Sequence, residues 1–173
     1  SIKIAEGEGD TLDEELSIAS NLSELIENLT QIKNLSDGTD FELITKYSCF
    51  TDDTVMTCAI AEAIMKVMPK RSDKISEDDF EAEVINSMTA FGNKYPNAGY
   101  GMRFIYWLTN PEPYGSYGNG SAMRVSPVAW AFDTLEDVEK FAEISARVSH
   151  NHTEGIKGAQ STAGSIFLAR TGK

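Results

Sequence analysis

Two adjacent carboxylates flanked by hydroxyls, in Phe50-Thr51-Asp52-Asp53-Thr54, form the sharpest chemical feature of the chain. Consecutive residues inside a helix diverge by about 100°, so two such side chains converge only where a helix begins and the first residue is still non-helical. An oxygen-only cluster of that kind suits a hard cation, Mg²⁺, Mn²⁺ or Ca²⁺, rather than zinc. The same residues also serve as a helix cap, because acidic and hydroxyl side chains are favoured at helix starts.

A second candidate is the glycine-rich stretch Gly115-Ser116-Tyr117-Gly118-Asn119-Gly120-Ser121-Ala122-Met123-Arg124, which leads into a helix. Amides exposed at such a junction can cradle a phosphate or pyrophosphate, and Arg124 can add a charge-assisted contact or bridge to a carboxylate. A ligand-free tight turn is the competing reading. Gly99-Tyr100-Gly101 is a weaker signal of the same type. Both histidines of the chain lie in Ser149-His150-Asn151-His152-Thr153-Glu154-Gly155. Two histidines at i and i+2 do not share a helical face, which excludes a zinc site of the HExxH kind. In a loop they can contact a sugar or base, act near neutral pH, or simply satisfy backbone groups. No Gly-x-Ser-x-Gly elbow, Walker motif or Rossmann glycine pattern is present, so covalent catalysis has no candidate.

The elements that must position these residues are helical, since apolar residues recur at three and four spacings and strand-like alternation is hard to find. A first helix is predicted over roughly 12 to 30, opened by Thr11 and Glu14. A second starts near Asp52 or Asp53, carries Val55, Met56, Ala59, Ile60, Ala63, Ile64 and Val67, and stops at Pro69. Ser76 with Asp79 opens a third with Phe80, Val84, Ile85, Met88 and Phe91 on one side. Gly99 to Leu108 reads as a short aromatic helix, residues 110 to 121 as a loop, Thr134 to about Val148 as a helix, and Gly155 to Arg170 as the last. The structure of Phe41 to Phe50 is left open by the pattern.

The chain has 173 residues, 41% hydrophobic and 24% charged, which fits one folded domain. Fifteen Lys and Arg against 27 Asp and Glu give a net charge of -12, which argues against sequence-independent binding to nucleic acid. An anionic ligand then needs metal ions or backbone amides. Cys49 and Cys58, with no CxxC, make a disulfide framework improbable, and no apolar run reaches the ~18 residues of a membrane span. A reduced, cytoplasmic protein away from membranes is the expectation.

Taken in order, Phe50 to Thr57, Ala98 to Gly101, Gly118 to Val125 and His150 to Gln160 closely resemble the ADP-ribosylglycohydrolase family. The resemblance runs from about Ile32 to Arg170 and leaves residues 1–31 as an unassigned helical segment ahead of a domain over 32–173. It implies an all-α fold that removes ADP-ribose from modified proteins or related compounds with two Mg²⁺ or Mn²⁺ ions. Thr51, Asp52 and Asp53 would correspond to the first metal-ligand cluster. Gly99, Tyr100, Gly101, Asn119, Gly120, Ser121, Met123 and Arg124 would line the ADP-ribose cleft, with His150 and His152 near the adenosine end or the rim. No residue is assigned the catalytic step.

Two departures accompany the resemblance. The family normally opens with Gly-Asp-x-x-Gly, whereas Gly9-Asp10-Thr11-Leu12-Asp13 lacks the second glycine, and Glu27 is the nearest candidate for an upstream acidic residue. The family's second ligand group, Asp-x-Asp-Thr on a late helix, would fall beyond Lys173. The chain is therefore expected to be a truncated version of the helical fold, with exposed apolar surface and a tendency to self-associate. Three functions follow: an ADP-ribosyl hydrolase active when complete or complemented, an ADP-ribose-binding module without turnover, or a structural fragment.

Overall fold

The computed structural model of the chain describes residues 45, 46, 48–68 and 75–172. They belong to two compact units divided between Ser48 and Cys49. Of the first unit only a turn is described, in which the Ser48 amide donates to the Thr45 carbonyl at 3.0 Å and the Thr45 amide donates to Ser48 Oγ at 2.9 Å. The predicted helix over 12 to 30, Glu27, the Gly9-Asp10 segment and the boundary at residue 32 lie outside the described residues.

The second unit is all-helical among the described residues, with seven helices and no strand. Helix α1, Asp52–Val67, buries Val55, Met56, Ala59, Ile60, Ala63 and Ile64, the stripe expected from three and four spacing. Met68 ends it in an extended conformation, which the bulk of Pro69 favours for the residue before it. Helix α2, Glu77–Lys94, starts where Ser76 Oγ accepts the Asp79 amide at 3.3 Å, and it lies along α1 with Phe80, Val84 and Met88 inward. Helix α3, Met102–Thr109, is short and aromatic, and its inner face is Phe104, Trp107 and Leu108. The Trp107 indole N–H donates to the Val148 carbonyl at 2.7 Å, which ties α3 to the far end of the chain.

Two brief helices that periodicity could not reveal follow: α4, Gly120–Met123, and α5, Ser126–Ala131, the latter with Pro127 in its first turn. Helix α6, Leu135–Arg147, begins at Thr134, whose hydroxyl oxygen accepts the Asp137 amide at 3.1 Å. Helix α7, Thr153–Thr171, starts two residues before the expected Gly155, capped by His152, and ends at Gly172 with φ 71°. Phe141 of α6 joins the layers: its ring stacks on Phe132 at 4.2 Å and meets Phe80 of α2 edge-on at 5.2 Å. Cys49 and Cys58 are exposed free thiols. No described helix is long and apolar enough to cross a membrane.

Candidate functional site

The second unit holds a cavity of about 370 Å³, a volume suited to a small organic ligand. Asp52 at the start of α1, Tyr100 and Gly101 ahead of α3, Ser116, Gly118, Asn119 and Gly120, and His150 between α6 and α7 all face it. Local chemistry explains why these distant segments meet. The Asp52 amide, one of the orphan donors at a helix start, donates to the Ala98 carbonyl at 2.8 Å. The next residue, Gly99, turns with φ 97°, a conformation that a side chain would strain, and the chain then passes Tyr100 into α3.

The acidic cluster does not act as a hydroxyl cap. Thr51 occupies the N-cap position without accepting a helix amide, and its Oγ1 donates instead to Asp53 Oδ2 at 3.2 Å. Burial, and then the negative charge of Asp53, push the Asp52 carboxyl above its ordinary range. Tyr100 is raised by burial and by the charge of Asp52, so it keeps its proton. Its hydroxyl is buried with no hydrogen-bond partner among the described residues. Among those residues no cluster of three or more His, Cys, Asp or Glu gathers around a common point.

At the other end of the cavity the glycine loop is pinned by the histidine segment. The Tyr114 amide donates to the Ser149 carbonyl at 3.3 Å, the Gly115 amide to Asn151 Oδ1 at 2.7 Å, and the Ser121 hydroxyl to the Gly155 carbonyl at 2.7 Å. Gly120 admits the close approach of His150, since a β-carbon at that position would lie 2.9 Å from both Cε1 and Nε2 of the ring. Burial, and then the charge of Arg124, push His150 down to about 4, which keeps the imidazole neutral at physiological pH. Arg124 is itself fully buried and burial pushes it down to about 10. It donates to the Ser145 carbonyl at 2.7 Å and to Ser149 Oγ at 3.0 Å, rather than bridging to a carboxylate.

Of the residues singled out in the sequence, Asp52, Tyr100, Gly101, Asn119, Gly120, Met123, Arg124 and His150 line one cavity. Thr51 and Asp53 flank Asp52, and Gly99 flanks Tyr100, without lining it. Ser121 is buried and spends its hydroxyl on Gly155, while His152 accepts the Glu154 amide at 3.1 Å and stands 5.2 Å from the Tyr117 ring. Sequence reasoning missed Met56, Arg103, Phe104 and Tyr114 as lining residues. The Arg103 guanidinium lies over the Tyr114 ring at 5.0 Å and donates to the Tyr114 carbonyl at 2.7 Å. The one available signal was their position, Arg103 two residues after Gly101 and Tyr114 directly before Gly115.

The chain is 32% identical to the ADP-ribosylhydrolase ARH3 of Mus musculus over 91% of its own length, and 29% identical to that of Bos taurus over 90%. An uncharacterized protein of Archaeoglobus fulgidus is 31% identical over 68% of the chain. The chain spans 43% of the length of the mouse relative and 45% of the bovine one. The family model described as ADP-ribosylglycohydrolase matches residues 15–173, and the chain belongs to that family.

Proposed function

We propose that the cavity binds ADP-ribose and that the chain contributes it to the metal-assisted hydrolysis of an ADP-ribosyl linkage. One observation carries this reading: Asp52 at the acidic start of α1 and the glycine-rich loop, far apart in sequence, line the same cavity. An adenosine diphosphate ribosyl group presents ribose hydroxyls and a pyrophosphate, which call for oxygen donors with cations at one end and amide donors at the other.

The donor set at Thr51, Asp52 and Asp53 fits part of the shell of a hard divalent cation. Both acids offer carboxylate oxygens, Thr51 leaves its oxygen lone pairs unused by the helix, and the Asp52 carboxyl is raised by burial and then by the negative charge of Asp53, which a cation would offset. Mg²⁺ or Mn²⁺ ions bound there would supply Lewis acidity toward the scissile linkage. The chain's own groups then hold and orient the substrate. The buried Tyr100 hydroxyl offers a hydrogen bond to a ligand oxygen. Amides of Asn119 and Gly120 receive the pyrophosphate, and the Tyr114 ring, braced by Arg103, closes one wall.

A second reading, ADP-ribose binding without turnover, is favoured by the lack of a third carboxylate, histidine or cysteine beside Asp52 and Asp53 among the described residues. Calorimetry with ADP-ribose, with and without Mn²⁺, joined to release of ADP-ribose from arginine- and serine-modified proteins, decides between them. Binding with release supports hydrolysis, and binding alone supports the second reading. No heat under either condition overturns both.

A further inference from the structure

Along the cavity wall, which Arg124 and His150 line, runs a buried polar chain whose role the acidic cluster does not explain. Arg124 is 1% exposed and Ser149 is fully buried. Arg124 Nη2 donates to Ser149 Oγ at 3.0 Å, and Ser149 Oγ lies 2.8 Å from His150 Nδ1.

Although Arg124 Nε is buried without a partner, the proton count between Ser149 and His150 has one solution that leaves neither of those two side chains stranded. A guanidinium only donates, so Ser149 Oγ accepts from Arg124. A hydroxyl carries a single hydrogen, and the neighbour left to receive it is His150 Nδ1. Were Nδ1 protonated, two donors would converge on Ser149 Oγ and its own hydrogen would be buried without an acceptor, a cost that folded proteins avoid. The proton of the neutral imidazole therefore sits on Nε2. The Cε1–Nε2 edge is the one that lies against Gly120, and both residues face the cavity.

We infer that Ser149, itself held by Arg124, is a positioning residue that fixes the tautomer of His150, so that the imidazole presents an Nε2–H donor to the occupant of the cavity. The consequence is chemical. A donor at that edge selects acceptor oxygens, such as those of a phosphate or a ribose, and it cannot take a proton from substrate or ligate a metal through Nε2. That the occupant is ADP-ribose rests on the proposed function; the tautomer does not, because it belongs to the ligand-free chain.

The test is ¹⁵N NMR of the histidine-labelled full chain near neutral pH, with His150 distinguished from His152 by the spectrum of His152→Asn. The expected pattern is Nε2 protonated and Nδ1 unprotonated, with the Nδ1 resonance displaced as in a hydrogen-bonded acceptor. In Ser149→Ala the Nδ1 resonance should move to the unbonded position or the two tautomers should mix, and ADP-ribose affinity should fall about tenfold. A protonated Nδ1 in the unsubstituted chain, which needs no variant to fold, overturns the inference. So does an Nδ1 resonance unchanged by Ser149→Ala. The expected spectra together with no ADP-ribose binding would uphold the relay while removing the proposed function.

Discussion

Gly120 and His150 are in contact so close that the ring occupies the space a β-carbon would need, 2.9 Å from both Cε1 and Nε2. The ring cannot simply swing aside, because it is buried and its Nδ1 is bonded to Ser149. Gly120→Val should therefore displace the loop rather than the histidine, and ADP-ribose affinity should drop at least about tenfold in calorimetry. A helical glycine with open surroundings is the control. A β-carbon at Gly158 meets nothing nearer than Ala122 Cβ at 4.0 Å, so Gly158→Ala should raise the melting temperature, by about 1 kcal/mol of added stability.

Much of this arrangement was legible in the sequence where a local rule governs it. Ser76 with Asp79 and Thr134 with Asp137 read as caps and are caps, because a hydroxyl three residues ahead of an acid satisfies an orphan amide wherever the helix lies. The stripe from Val55 to Ile64 was legible for the same reason. Arg103 and Tyr114 were not, since their place in the cavity arises from a meeting of separate loops, and periodicity reports only which face of an element is apolar. Helices α4 and α5 span four and six residues, too short for a 3.6-residue period to show. The start of α7 was set two residues late because histidine is an uncommon cap, and nothing in its type marks His152 as one. The Ser149 relay was invisible because a buried serine looks like any other serine until its neighbours in space are known.

His150 makes folding stability depend on pH in a defined window. Unfolded, the imidazole takes up a proton near 6.5; folded, only near 4. Between those values the unfolded chain binds more protons, so its contribution is undiminished above pH 6.5 and is lost progressively as the pH falls toward 4. Discounted for the water that the open cavity admits, the loss is about 2 kcal/mol. Urea midpoints at pH 7 and pH 5 measure it. His150→Gln should flatten the difference between them by that amount, leaving the part due to carboxylates.

Two contacts between α2 and α6 should differ sharply in weight. Arg147 donates from Nε and Nη2 to Glu81 at 3.0 and 2.7 Å, yet both side chains are about one third exposed. Water and salt screen such a pair, so Glu81→Gln should cost at most about 1 kcal/mol and the cost should shrink in high salt. Phe141, packed between Phe80 and Phe132 and 3% exposed, has no such screening. Phe141→Ala should cost about 4 kcal/mol, independent of salt, by denaturant unfolding.

The acidic start of α1 gives the strongest contrast between a helix-terminal role and a cation site, because the two roles predict different responses of one substitution to Mn²⁺. Asp53 and burial both disfavour the charge on Asp52, so the metal-free protein carries repulsion there, screened in part because Asp52 is only partly buried. Asp52→Asn removes that repulsion and should leave the metal-free melting temperature level or slightly higher. Mn²⁺ should raise the melting temperature of the unsubstituted chain by mass action and leave Asp52→Asn unmoved, so the two stability orders cross as Mn²⁺ is added. A carboxylate that serves only the helix predicts a different pattern, in which Asp52→Asn has the same small effect with or without the ion, since at the first helical position it acts only on the helix dipole. Parallel melting curves across a Mn²⁺ titration would therefore assign Asp52 to the helix alone, and crossing curves assign it to the cation.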